Sequence, residues 1–175
     1  HWLEENLARE SVLSLPQAVT QLNLFQQLSA AIESQGGKLL TDIDLLALIW
    51  DDRPLPPSGE IFPHAKPEAT PDITVKLNAV REAMVRHGAT HYFISALEDI
   101  AWLTNLRGSD IDCTPIFMSH CLVSPVGVDL FVNDASITSV ARDEMVAAGI
   151  AVKEYDTAFE SLRTLEDSDR LLVDP

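Results

Sequence analysis

The chain has 175 residues, 46% hydrophobic and 22% charged, a balance that supports a packed core and excludes a disordered segment. Its 27 acidic and 12 basic side chains give a formal net charge of −15, so it lacks the cationic field that nucleic acid or an anionic membrane surface requires. No apolar run nears the roughly 20 residues that span a bilayer, and the acidic, amphipathic start HWLEENLARE is unlike a signal peptide; a soluble cytoplasmic protein is expected.

The length suits one well-buried domain, or one domain plus part of another. SLPQAVTQLNLFQQLSAAIESQGG predicts a helix with Ser14 or Leu15 at its cap, Pro16 near its first position and Val19, Leu22, Phe25, Leu28 and Ile32 at helical spacing. Gly36 and Gly37 end it. The apolar pair Leu39 and Leu40 follows, and DIDLLALIW predicts another short helix. No internal repeat is present.

From Asp51 to Pro71 the character changes. This stretch holds Pro54, Pro56, Pro57, Pro63, Pro67 and Pro71, more than half of the chain's 10 prolines, and that density denies the backbone both helix and central strand. It is the expected linker between a mostly helical first section, residues 1–50, and a second domain, residues 72–175.

The second domain alternates helices and strands. DITVKLNAVREAMVRHG predicts an amphipathic helix with Leu77, Val80 and Met84 on one face, Lys76, Arg81 and Arg86 mostly elsewhere, and Gly88 at the exit. THYFISA is a short strand, and Ser95 followed by Glu98 has the spacing of a capping box that opens the next helix. PIFMSHCLVS and VGVDLFVN predict a hairpin, DASITSVARDEMVAAG a capped helix ending at Gly149, IAVKEY a strand, DTAFESLRTL a helix and RLLVDP a last strand. The pattern implies a three-layer α/β/α fold with a mixed sheet.

Motifs for chemistry are sparse. HExxH, GxSxG, GxGxxG and a phosphate-binding loop are all missing. Cys113 and Cys121 have neither redox nor zinc-knuckle spacing and read as two reduced thiols. His87 and His91 straddle Gly88, which suits helix-end and strand-start positions better than a metal pair. Asp110 and Asp112 lack the remaining ligands of a calcium loop.

The one concentrated polar cluster is Asn105, Arg107, Ser109, Asp110 and Asp112, directly after the apolar run that carries Trp102. Asn105 tolerates a left-handed helix end, Gly108 permits a positive φ, and Arg107 can fork onto Asp110 or Asp112. A structural helix exit with a local ion pair, a recognition surface and a catalytic site all fit these residues. No nucleophile stands beside a base here.

The same residues carry a family resemblance. ALEDIAWLTNLRGSDIDCTPIF resembles the middle domain of the long, three-domain Xaa-Pro aminopeptidases of the creatinase and prolidase superfamily, and LLALIWDDRPLPP resembles the junction that closes their first domain. Thr104, Thr114 and His120 depart from that pattern, His120 standing where an aromatic is usual. The resemblance implies a creatinase-N-terminal, ribonuclease-H-like fold in the middle domain. It also implies a cytoplasmic parent enzyme that removes the residue preceding proline with two divalent ions, manganese by expectation, held in a C-terminal domain.

In this chain it therefore implies no catalytic residue, metal ligand or cofactor. The implied partners are the parent's own catalytic domain, peptides with proline second and a further copy in a homo-oligomer. Trp102, Asn105, Arg107 and Asp110 are the candidate interdomain or substrate-entrance residues. The alternative is a non-enzymatic interaction module of the kind found among pita-bread relatives.

Overall fold

The computed structural model describes residues 2–16, 19–64, 67 and 69–173. The chain divides into two compact units, one up to Leu55 and one from Pro56 onward.

In the first unit, α1 (Trp2–Asn6), β1 (Val12–Ser14), α2 (Leu22–Ser34) and β2 (Lys38–Leu40) follow one another, and β1 pairs with β2 in parallel with Val12 opposite Lys38. The helix expected to begin at Ser14 or Leu15 begins only at Leu22. Ser14 is committed to β1, and the Leu15 amide extends that ladder by donating to Leu40 O at 2.9 Å. DIDLLALIW is not a helix but a run of turns. The Asp44 carboxylate accepts from the amides of Leu46 and Ala47 and from Arg53 Nη1 at 2.7 Å, so the side chain takes over donors that a helix would have shared among its carbonyls.

The second unit contains β3 (Phe62–Pro63), α3 (Ile73–Arg86), β4 (His91–Ile94), α4 (Leu97–Thr104), β5 (Leu106–Arg107), β6 (His120–Val123), β7 (Val128–Val132), α5 (Ser139–Ala147), β8 (Ile150–Glu154), α6 (Ala158–Arg163) and β9 (Leu171–Val173). Its main sheet has the order β8-β7-β6-β4-β9, and β6 alone runs against its neighbours. β6 and β7 form the predicted hairpin, closed by Ser124 and Gly127.

Alternation along the strands builds two cores. Ile94, Cys121, Val123, Leu130 and Val132 face one layer with Leu77 and Met84 of α3, Ile100 and Leu103 of α4, and Met145 of α5. Phe93, Leu122 and Phe131 face the other, against Ala158 and Leu162 of α6 and its extension. On this second face the His120 ring lies between Phe93 and Tyr155, with centroids 5.2 and 5.0 Å away. His120 thus takes an aromatic place in a stack, where burial holds its pKa below the ordinary value.

Two local expectations change. Ala96, not Ser95, occupies the cap position of α4, with no side-chain capping bond, because the first helical bond runs from Ile100 N to Ala96 O at 3.1 Å. Glu98 then sits in the first turn, where the helix dipole favours a negative charge. Residues 56–64 of the proline-rich stretch are extended, yet they are built into the second unit. Ile61 is 1% exposed, donates to Ser136 O at 2.8 Å and accepts from Thr138 N at 3.0 Å. Thr138 in turn caps α5 by accepting from Ala141 N.

Cys121, fully buried on β6, provides a test of this packing. Burial, reinforced by Asp129, raises its thiol to about 12 from an ordinary value of 9.0. A proton held more tightly in the folded chain means this contribution to stability is complete below pH 9 and is lost as pH climbs toward 12. Denaturant unfolding should show wild-type stability falling faster with pH in that window than Cys121→Ala, by up to ~1.4 kcal/mol per pH unit. Parallel pH profiles for the two proteins would contradict the buried placement.

Candidate functional site

The site grows from the end of α4. Leu97 to Thr104 supply a short helix whose Ile100, Ala101 and Leu103 are buried, and its last carbonyls need partners from outside the helix. Asn105 closes it in the left-handed conformation, φ 55°, and Asn is one of the few side chains that adopts this readily.

The partners of that helix end are cationic. Lys76 Nζ donates to Trp102 O at 2.5 Å and to Asn105 Oδ1 at 2.6 Å, and it lies 4.5 Å from the centre of the Trp102 ring. Arg107 Nη1 donates to Ala101 O at 2.9 Å and to Leu106 O at 2.7 Å. Lys76 is only 2% exposed, and burial first, then the charge of Arg107, pushes its pKa below the usual lysine value. Asn105 also donates from Nδ2 to Pro71 O, and its carbonyl accepts from His64 N at 2.8 Å.

The local ion pair expected between Arg107 and Asp110 or Asp112 is not formed. The two oxygens of Asp110 are already engaged, Oδ1 by Gly59 N at 2.6 Å and Oδ2 by Met118 N at 2.7 Å. Backbone amides on both sides of the loop thus claim the carboxylate first. Gly108 serves close approach rather than a positive φ: a Cβ there would lie 2.6 Å from Phe117 Cβ. Gly59 crosses Ser109 just as tightly, a Cβ meeting Ser109 Oγ at 2.4 Å.

Of the four candidates, then, Asn105 is buried and Asp110 is consumed by backbone bonds, whereas Trp102 is 48% exposed and Arg107 is partly exposed. The residue the sequence reading placed off the packed face is Lys76. The signal was present, since Lys76, Val80 and Met84 stand four residues apart and therefore share one side of α3.

Beside Asn105 lies an open cleft of about 640 Å³, walled by the start of α3, the outer side of α5 and the segment around His64. Asp72 and Glu144 line it, but among the described residues no three His, Cys, Asp or Glu side chains converge as a metal site. The described residues do not fit a dinuclear metal centre. No helix among the described residues is long and apolar enough to cross a membrane.

A mixed α/β/α layer fold with one reversed central strand and a rigid polar helix exit defines the class of domain. Residues 52–175 match the Creatinase/Prolidase N-terminal domain family, and the chain belongs to it. Over 171 residues it is 29% identical to a probable Xaa-Pro aminopeptidase P of Colletotrichum graminicola, covering 96% of this chain and 28% of that protein. It is 30% identical to Aminopeptidase P2 of Arabidopsis thaliana over 178 residues, 99% of this chain and 25% of that one.

Among solved structures, X-prolyl aminopeptidase from Caenorhabditis elegans, described as a cytosolic enzyme with a di-nuclear active site, superposes with a TM-score of 0.85 at 20% identity, over 92% of this chain and 26% of that one. That likeness establishes the fold. The chain spans about a quarter of the length of these relatives.

Two outcomes separate the inward-facing groups from mere surface charge. Asp110→Ala strands the Gly59 and Met118 amides and should lower unfolding free energy by about 2–3 kcal/mol, whereas Asp112→Ala should stay within ~0.5 kcal/mol, both read by urea titration. Lys76→Met leaves Asn105 Oδ1 without its donor and Trp102 O with only the 3.4 Å bond from Asn105 N, and a loss of ~1–3 kcal/mol is expected in the same assay.

Proposed function

We propose that this chain is the non-catalytic first-and-middle region of a metal-dependent Xaa-Pro aminopeptidase, which packs on the parent's catalytic domain and shapes the entrance for peptides with proline second. The observation that carries this reading is the family match over residues 52–175, combined with relatives named as aminopeptidases P of which the chain spans about a quarter. In this reading the cleavage belongs to the remainder of the polypeptide, where a pair of divalent ions, manganese by preference, activates water. The parent works in the cytoplasm and assembles as a homo-oligomer.

This chain contributes position rather than chemistry. Trp102 and Arg107 are the groups available to neighbours, and Asn105 and Asp110 fix the backbone that carries them. Loss of the Arg107 guanidinium should therefore damage the assembled enzyme more than the isolated chain. Arg107→Ala is expected to reduce kcat/KM of the parent on an Xaa-Pro tripeptide at least roughly tenfold, while shifting the melting temperature of the 175-residue chain less than Asp110→Ala does. An unchanged kcat/KM would remove the entrance role.

A further inference from the structure

Lys76 and Arg107 are two cations at one helix end, and among the described residues neither lies within ion-pair distance of a carboxylate. Their partners are carbonyls and one amide oxygen. The C-terminal dipole of α4 supplies only about half a negative charge, so most of the two positive charges stays uncompensated. A lysine this deeply buried is ordinarily paired with an acid. Glu98 and Asp99 on α4 are exposed and form no ion pair with either cation.

The geometry also leaves a way in. Arg107 uses only Nη1, and its Nε and Nη2 donors have no partner among the described residues. The Trp102 ring, 4.5 Å from Lys76 Nζ, belongs to a residue that is 48% exposed. A half-exposed indole and a guanidinium tethered by one nitrogen, both gathered around the Lys76 ammonium, are the residue types that concentrate binding energy at protein interfaces.

We infer that the Trp102–Arg107 edge, backed by the Lys76 charge, is a docking point for an acidic side chain on the rest of the aminopeptidase polypeptide, the carboxylate meeting Arg107 Nε and Nη2 and an apolar flank covering Trp102. This rests on the reading of the chain as one region of a longer enzyme. Charge complementarity selects the occupant. In a chain of net charge −15 this is a locally positive spot with no counter-charge among the described residues, and an acidic segment supplies it.

The test compares the 175-residue chain with the full-length parent. In the unmodified proteins, phenylglyoxal should modify Arg107 roughly tenfold more slowly in the parent than in the chain, as expected for a site covered with about 1.4 kcal/mol of protection. In the parent carrying Arg107→Lys, a water-soluble carbodiimide should join position 107 to an Asp or Glu outside these 175 residues, located by peptide mass mapping.

Equal phenylglyoxal rates would overturn the inference, as would cross-links that reach only acids within the chain, such as Glu98 or Asp112. Because phenylglyoxal reads the native protein, a folding defect in Arg107→Lys cannot mask the answer. The two readings fail separately. A parent that cleaves Xaa-Pro peptides with Arg107 unprotected loses only the docking site, and a parent with Arg107 protected and cross-linked but no Xaa-Pro cleavage loses only the aminopeptidase reading.

Discussion

The buried ammonium of Lys76 at the end of α4 is the constraint on which the rest of the second unit depends. It ties α3 to the Trp102 carbonyl in the last turn of α4 and to the side chain of Asn105, the residue that turns the chain out of the helix. Once Asn105 is fixed, Leu106 and Arg107 fall into register with Pro63 and Phe62, and β3 is held. Ile61, next to β3, then bonds Ser136 and Thr138 and so anchors the start of α5. One lysine thus links three helices to a strand of the proline-rich segment. The energetic balance is close, because charge-assisted hydrogen bonds of about 1.5–3 kcal/mol each offset a desolvation penalty of several kcal/mol.

Asp110 is the second pin, and it works through geometry that side-chain volume would spoil. Its carboxylate reaches amides from two separated segments only because Gly59 can lie against Ser109 and Gly108 against Phe117. The result is a division of labour within one short motif. The polar groups that look most reactive in sequence are spent inside the fold, Asn105 on Lys76 and the Pro71 carbonyl and Asp110 on two backbone amides, and the two that remain available are an indole and a guanidinium. A rigid segment of that kind suits recognition, which rewards position, more than chemistry, which needs free acids and bases.

The layered fold was legible because strand alternation is a direct consequence of burial. Cys121, Val123 and Leu130 had to face one core and Leu122 and Phe131 the other, so the hairpin and the mixed sheet followed from period-two patterning. What escaped was decided by competition among hydrogen bonds that sequence does not rank. Asp44 diverted amides that a helix would have used, Leu15 joined a strand instead of opening α2, and Ala96 displaced Ser95 from the cap. In the site, nearness in sequence suggested Arg107 with Asp110, whereas the amides of Gly59 and Met118, 51 and 8 residues away, won the carboxylate. Lys76 was misplaced for a different reason: a lysine is counted as polar surface unless its four-residue spacing to Val80 and Met84 outweighs its charge.

Rigidity also bears on the two cations, Lys76 and Arg107, that meet no carboxylate among the described residues. Association costs the ordering of each flexible side chain, on the order of 0.5–1.5 kcal/mol for one as long as arginine. Here Arg107 is already held through Nη1 by two carbonyls, and Trp102 has only two rotatable side-chain bonds and a cation packed against its ring. On the docking inferred above, the free unit would bear an electrostatic penalty that an acidic partner relieves, and the partner would spend little on ordering the groups it meets. In that arrangement, stability given up before assembly would be recovered as affinity after it, which would tie the least comfortable charge in the fold to the surface best placed to be covered.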